Sequence, residues 1–175
     1  MEGRYIIGID PGQSGGIAFL DIIDHTLRAI RTPVFRPNKK LKRKNTTYDI
    51  QTLVSLFDLP IETVICAVLE RVNTMPGQGI ASNGKLMYGY GLMHGLIAKF
   101  NHKLVMARVW KKKLNLSSDK DLSRIRASEM FPLCADAKLW HTKNRDGVAE
   151  ATLLTAWCAD AMSLPVSLCD FYPIS

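Results

Sequence analysis

Residues 7–19 read IGIDPGQSGGIAF, and this stretch decides the fold. The β-branched residues before Asp10 and after Gly16 predict two strands, with a turn over Pro11–Gly16 between them. A third strand over Leu27–Phe35 continues the chain as an antiparallel meander. A strand–turn–strand pattern is not the dinucleotide-binding fingerprint, because that motif requires a helix directly after its glycine-rich turn. The chain is thus predicted to open with antiparallel sheet, and with an acid at the end of its first strand.

The remainder of the sequence alternates between helical and strand patterns. Predicted helices cover residues 48–57, 86–100, 109–114, 118–130 and 143–162, and predicted strands cover 63–70 and 103–107. Residues 71–85 are rich in Gly, Pro, Ser and Asn, which predicts a loop. The order of elements predicts an α/β fold with a five-stranded mixed sheet flanked by helices. We interpret residues 1–175 as a single domain with a basic insertion at 36–47, six of whose residues between 36 and 44 are Lys or Arg.

The composition narrows the function classes. The chain has 175 residues, 47% hydrophobic and 22% charged, which excludes a disordered or fibrous protein. We expect no membrane association, because no stretch reaches the ~18 apolar residues of a membrane span. The four cysteines form no C-x-x-C pair, and Met1–Arg4 runs directly into a strand, so we expect reduced thiols, no cleaved leader and a cytoplasmic location. The net charge of +7 favours a polyanionic partner.

Four acids fall where the pattern predicts that they converge. Asp10 ends the first strand and Glu70 ends the fourth, so both would emerge at one sheet edge if these strands are parallel neighbours. Asp146 and Glu150 lie four residues apart near the start of the last helix and share one face. Like charges at this spacing repel unless a cation neutralises them. Oxygen ligands suit Mg²⁺ or Mn²⁺, and two such ions could hold a phosphate and activate water.

Each of the four acids also has a simpler explanation. Asp10 in Asp-Pro-Gly could be a turn former, Asp146 could stabilise the helix dipole, and Glu150 could be a surface residue. Glu70 is harder to explain in this way because it follows a mostly apolar strand. Four acids on elements that meet at one place favour a metal site.

At this point the motifs resemble a known family. Asp10-Pro11-Gly12 with Gly15-Gly16, Glu70 in VLERV, and Asp146 and Glu150 in DGVAEATLLTAW are similar to the RuvC Holliday-junction resolvases of the ribonuclease H-like superfamily. The middle of the chain looks more like the plant chloroplast and phage-type resolvases. The stretches that carry this second likeness are YGYG at 88–91, Trp110-Lys111, and Lys120-Asp121 with Ser123-Arg124.

The resemblance implies a ribonuclease H-like fold and a homodimeric endonuclease. Such an enzyme binds four-way DNA junctions and makes two symmetric nicks with Mg²⁺, two ions per site, with Mn²⁺ expected to substitute. Asp10, Glu70, Asp146 and Glu150 fall on the metal-binding and catalytic positions of the family. Lys111 and Lys120 fall near basic residues that contact DNA or stabilise the transition state. The apolar, glycine-containing helix 86–100 is our candidate for the dimer interface, by analogy.

The predicted DNA-binding residues follow the second acid and occupy a basic stretch. Residues 99–126 hold nine basic side chains and two acids, which predicts phosphate contacts. The loop after Glu70 lacks the aromatic that bacterial members often place there, and Met75 is a weak substitute. The full set of predicted DNA-binding residues is Arg71, Met75, Gln78, Ser82, Asn83, Lys85, Tyr88, Lys111, Lys112, Lys113, Lys120 and Arg124.

Other functions stay open on the sequence. A ribonuclease H acting on RNA–DNA hybrids would use similar acids, but its second acid typically sits on a helix, whereas Glu70 ends a strand-like run. A non-catalytic junction-binding module is a further alternative, which the loss of an acid would favour. An actin-like nucleotide-binding fragment shares the D-x-G turn, but 175 residues leave no room for its second domain.

Overall fold

The computed structural model describes residues 3–35, 46–73, 79–117, 119–135 and 138–174, apart from the side chain of Lys120. Its strands are β1 (Tyr5–Asp10), β2 (Gly16–Asp21), β3 (Thr26–Arg31), β4 (Val34–Phe35), β5 (Thr47–Tyr48), β6 (Val64–Arg71), β7 (His102–Met106) and β8 (Tyr172–Pro173). Its helices are α1 (Ile50–Leu56), α2 (Ile80–Ile97), α3 (Ala107–Lys113), α4 (Lys120–Met130), α5 (Pro132–Ala135) and α6 (Asp146–Ala161).

The main sheet is mixed and has the strand order β7-β6-β1-β2-β3-β8. Strands β1 to β3 form the predicted antiparallel meander, while β6 runs parallel to β1 and β7 runs parallel to β6. The predicted α/β fold is confirmed, with six strands in this sheet instead of five. The additional strand, β8, is two residues long, which is too short to leave a pattern in the sequence.

Helices cover both faces of the sheet because side chains alternate along each strand. Ile7 and Ile9 of β1 face α1 and α2, where they belong to one apolar core with Met93 and Ile97. Ile6 faces the opposite way, into a second core that includes much of α6. Helix α6 is buried on nearly every side, because α4 packs over it from outside while the sheet lies beneath it.

Helix α6 lies directly on the central strand β1. A Cβ atom added to Gly8 of β1 would stand 2.1 Å from the carbonyl oxygen of Ala151 in α6, so only glycine permits this approach. The first turn of α6 therefore reaches the end of β1 that carries Asp10.

Several boundaries differ from the predictions. Helix α2 begins at Ile80, within the predicted loop, so Ser82, Asn83 and Lys85 are helical. The predicted third strand is divided, since β3 ends at Arg31 and β4 pairs with β5 in a separate two-stranded ladder. That ladder joins the two ends of the basic insertion, whose residues 36–45 lie outside the described part of the chain. Within the described residues, none of the helices is long and apolar enough to cross a membrane.

Candidate active site

Asp10 and Glu70 lie at the same edge of the main sheet. Asp10 ends β1, Glu70 is the penultimate residue of β6, and the parallel register pairs Ile9 with Leu69 just before them. The carboxyl ends of parallel strands meet at one edge. The register therefore places these two acids next to each other on neighbouring strands, as the sequence predicted.

The start of α6 contacts the β1–β2 turn through glycines. Gly15 and Gly147 form an isolated parallel β-bridge. A Cβ atom on Gly147 would stand 2.5 Å from the Cα atom of Gly15 and 2.7 Å from Oδ2 of Asp10. Because glycine allows this contact, Asp146 and Glu150 come to the edge that carries Asp10.

Three of the four predicted acids line one cavity. Asp10, Asp146 and Glu150 surround a cavity of about 210 Å³. The other side chains around this cavity are polar or basic, namely Ser14, Arg31, Lys143 and Asn144. The cavity is therefore lined by both carboxylates and cations, which suits a small charged group.

The fourth acid, Glu70, is held from α3. The indole nitrogen Nε1 of the fully buried Trp110 donates a hydrogen bond to Oε2 of Glu70 at 2.7 Å. Burial raises the pKa of Glu70 and the charge of Glu150 raises it further, while the Trp110 hydrogen bond and the charge of Lys111 lower it. The net direction is upward, so the ionised form of Glu70 is less favourable here than in water.

Lys111 interacts electrostatically with both Glu70 and Glu150. Its Nζ atom forms an ion pair with Oε1 of Glu150 at 2.6 Å, and its side chain is only 16% exposed. The hydroxyl of the buried Ser123 donates to the same Glu150 oxygen at 3.1 Å. Lys111 therefore lies among the candidate site residues, and its predicted role toward DNA or the transition state stays a prediction.

Arg124 binds the other α6 acid. Its Nη1 atom lies 3.1 Å from Oδ1 of Asp146, and its Nη2 atom donates to Oδ1 of Asp121 at 2.6 Å. The contact with Asp146 is an ion pair whose alignment does not make a hydrogen bond, so Oδ1 of Asp146 is buried without one. Arg124 was predicted to bind DNA, and in this structure it lies among the site carboxylates.

The carboxylates suit a hard divalent cation in chemistry but are not gathered around one point. They offer only oxygen ligands, the type that Mg²⁺ prefers, and the buried Oδ1 of Asp146 has no hydrogen-bond donor. In the described part of the chain, however, no three Asp, Glu, His or Cys side chains are grouped closely enough to hold one metal ion. Lys111 and Arg124 instead provide charge partners for Glu150 and Asp146.

The predicted DNA-binding residues are spread around the site and along α2 and α3. Ser82, Lys85 and Tyr88 are exposed on α2, whereas Asn83 is half-buried. Arg71 is exposed at the end of β6, and Lys112 and Lys113 are exposed on α3. Met75 and Gln78 lie outside the described residues, and Lys120 begins α4 without a described side chain.

Six site residues had no predicted role. They contact the acids or line the cavity, and they are Ser14, Arg31, Trp110, Ser123, Lys143 and Asn144. The sequence does contain a signal for Arg31. Counting residues outward from the short β2–β3 connection pairs Arg31 with Gly16, at the start of β2. No comparable signal exists for Trp110 and Glu70, which are 40 residues apart.

The sequence matches no family model, and no curated protein matches it. Among solved structures, RuvC of Thermus thermophilus has TM-score 0.54 at 13% identity, over 91% of this chain and 96% of that chain. The T. thermophilus RuvC in complex with a Holliday junction substrate has TM-score 0.53 at 11% identity, over 90% of this chain and 96% of that chain. The Fowlpox virus Holliday junction resolvase is 15% identical over 90% of this chain and 99% of that chain. Its TM-score of 0.43 is too low to support an argument about the fold.

The likeness to T. thermophilus RuvC establishes the fold of this chain. The mixed sheet flanked by helices is the ribonuclease H-like fold of RuvC. The resemblance drawn from the sequence motifs is thereby confirmed at the level of the fold. It also extends over nearly the whole chain, since about nine-tenths of it is covered.

Proposed function

We propose that the protein is an endonuclease that resolves four-way DNA junctions by symmetric, metal-dependent phosphodiester hydrolysis. The observation that carries this proposal is the cavity lined by Asp10, Asp146 and Glu150, at the sheet edge that also holds Glu70. One RuvC structure with this fold is in complex with a Holliday junction substrate. The net charge of +7 suits such a polyanionic partner.

Mg²⁺ is the proposed cofactor, with Mn²⁺ as a substitute and two ions per site. Asp10, Glu70, Asp146 and Glu150 would hold the ions, which would supply an activated water and neutralise charge on the phosphate. Ligation by all four requires rotation of side chains, because Lys111 and Arg124 contact two of them.

The basic side chains around the cavity would bind the scissile phosphate. Lys111 and Arg124 contact the acids directly, and Arg31 and Lys143 line the cavity. An incoming phosphate would compete with Glu150 for Lys111 and with Asp146 for Arg124, since both cations also bind phosphate well. Phosphate binding would thereby release carboxylate oxygens. Lys120, the first residue of α4, is a further candidate for transition-state stabilisation.

The DNA would cross α3 and the exposed polar side of the first half of α2, next to the cavity. Lys112 and Lys113 of α3 follow directly after Lys111, which lies in the site. Ser82, Lys85 and Tyr88 are exposed on α2, and Arg71 is exposed one residue after Glu70. The proposed surface also includes Met75, Gln78 and Asn83 of the predicted set.

A homodimer would present two such sites to one junction, as symmetric nicking requires. The proposed interface is the face of α2 that carries Gly84, Met87, Gly91 and Gly95. A Cβ atom on Gly84, Gly91 or Gly95 would meet nothing within 4 Å, and Met87 is 40% exposed, while Tyr88 belongs to the proposed DNA surface. We further propose a cytoplasmic location, in the compartment where bacterial or phage DNA would be processed.

A non-catalytic junction-binding module is a second candidate, favoured by one observation. Glu150 and Asp146 are charge-paired with Lys111 and Arg124, and no three potential metal ligands are grouped among the described residues. Such a module would bind junctions but leave them intact. The ribonuclease H alternative is less well supported, because the second acid, Glu70, lies on a strand.

The test is a cleavage panel on four-way junction, duplex, flap and RNA–DNA hybrid substrates in Mg²⁺. We expect symmetric nicks in the four-way junction, and we expect Asp10→Asn and Glu70→Gln to abolish nicking while junction binding persists. Asp58→Asn changes an exposed acid beyond the end of α1 and should nick at the wild-type rate. Junction binding by the wild-type protein without any nicking would instead establish the binding module.

A further inference from the structure

Two histidines meet away from the candidate active site. His94 lies on α2 and His102 begins β7, and their Nε2 atoms are 3.3 Å apart. Their rings meet edge to face, with centroids 5.3 Å apart. His102 stands three residues before Val105, which pairs with Glu70. It is therefore roughly 10 Å along the strand from the sheet edge that carries the acids.

The hydrogen bond to the backbone fixes the orientation of His102. Its Nδ1 atom lies 2.9 Å from the carbonyl oxygen of Phe100, and because a carbonyl only accepts, Nδ1 carries the proton. In the neutral ring the lone pair of Nε2 then points to His94. A histidine whose second nitrogen donates to a carbonyl is the usual arrangement of a metal-ligating imidazole.

The separation of the two nitrogens also fits a metal ion. At 3.3 Å it is the length of a hydrogen bond in which Nε2–H of His94 donates to Nε2 of His102, and an ion would replace that proton between the two nitrogens. If a Zn²⁺ ion lay about 2.0–2.1 Å from each nitrogen, the N–Zn–N angle would be about 105°, which is close to tetrahedral. Both ligands lie on regular elements, so little ordering is needed before an ion binds.

We propose that His94 and His102 form a binding site for a borderline transition-metal cation such as Zn²⁺, which joins α2 to the edge strand β7. Imidazole nitrogens select Zn²⁺, Cu²⁺ or Ni²⁺ over Mg²⁺, so this site differs in kind from the oxygen-lined cavity. With the metal bound, His94 carries its proton on Nδ1. Water completes the coordination, because no third histidine, cysteine or carboxylate ligand joins the pair among the described residues.

The test is calorimetric titration of the full chain with Zn²⁺ in excess Mg²⁺, which occupies oxygen-only sites. We expect one Zn²⁺ per chain, and we expect His94→Gln and His102→Gln each to weaken binding by about tenfold or more. His141→Gln is the matched control, because His141 is exposed and its substitution should leave binding unchanged. Wild-type protein that binds no Zn²⁺, or variants that bind it as tightly, would overturn the proposal.

A second measurement does not depend on how the variants fold. Electron paramagnetic resonance of Cu²⁺ bound to the wild-type chain should show coupling to two nitrogens. Coupling to one nitrogen or to none would refute the paired site. Neither readout involves cleavage, so the result stands apart from the proposed nuclease activity.

Discussion

Glu70 gives the clearest prediction for a single residue. Burial raises its pKa above the ordinary value, so the folded chain disfavours the ionised form relative to the unfolded chain. The sign follows from linkage. The contribution of Glu70 to the free energy of unfolding is fully present below the unfolded pKa of glutamate, about 4.3, and is lost as pH rises through the raised folded pKa. Glu70→Gln keeps a carbonyl oxygen for the Trp110 hydrogen bond and removes this loss.

We therefore expect Glu70→Gln to be more stable than wild type at neutral pH, with a difference that shrinks as pH is lowered. Urea unfolding at a series of pH values measures both curves. Asp58→Asn serves as the control for loss of an exposed charge. A pH-independent difference would mean that the ionisation of Glu70 does not cause the effect.

Gly147 is predicted to be irreplaceable for a steric reason. The Cβ atom of Gly147→Ala would stand 2.5 Å from the Cα atom of Gly15, and backbone cannot move aside as a flexible side chain can. Overpacking of this kind costs about 1–3 kcal/mol, and it would also push Asp146 away from Asp10. Urea unfolding measures the loss, and Gly84→Ala, where nothing lies within 4 Å, should cause none. Equal stability of the two variants would contradict the close approach.

At the scale of elements, α2 has two faces that respond oppositely to the same substitution. A Cβ atom on Gly89 would stand 1.9 Å from the hydroxyl oxygen of Tyr48, whereas one on Gly91 would meet nothing within 4 Å. Gly89→Ala should therefore destabilise the chain, and Gly91→Ala should stabilise the isolated chain by about 0.5–1 kcal/mol through helix propensity.

The same pair of variants tests the proposed interface. If two α2 helices approach closely through Gly91, then Gly91→Ala should weaken self-association while it stabilises the single chain. Sedimentation measures the first effect and urea unfolding of dilute protein measures the second. A wild-type protein that is monomeric at micromolar concentration, with and without junction DNA, would remove the dimer from the proposal.

The elements also show how far the sequence could be interpreted. The meander β1 to β3 and the parallel strand β6 were predicted because their apolar runs and turn residues are local signals. The start of α2 was missed because Gly79 and Gly84 indicate a loop, while the contacts that hold the helix come from Met93 and Ile97 in the core. Boundaries set by tertiary packing leave little trace in local composition.

The site residues also divide into those with a local signal in the sequence and those placed only by tertiary packing. Its four acids were predicted because each ends or begins a recognisable element, and the structure places three of them around one cavity. The partners of those acids were not predicted, because Trp110 and Ser123 entered only as parts of the resembling stretches and meet Glu70 and Glu150 only in the folded chain. Arg124, the cation partner of Asp146, was predicted only as a DNA contact. The sequence does not distinguish an arginine at the surface from one beside the site carboxylates.

For the whole molecule, the net charge of +7 predicts binding to DNA that depends strongly on salt. The slope of log K against log salt concentration reports how many phosphates are neutralised, at about 0.9 per phosphate for duplex DNA. Lys112 is exposed on α3 beside the site, so Lys112→Ala should make the slope for a four-way junction shallower by about 1. Fluorescence anisotropy over a salt series measures it.

The matched control for this charge is Lys99→Ala. Lys99 lies between α2 and β7, at the sheet edge opposite Glu70, where its Nζ atom donates to the carbonyl oxygen of Leu59. The Lys99→Ala variant removes the same charge from the molecule as Lys112→Ala, but it should leave the slope unchanged. If both variants reduced the slope equally, junction DNA would be held by the overall positive field of the protein and not by a surface next to the cavity.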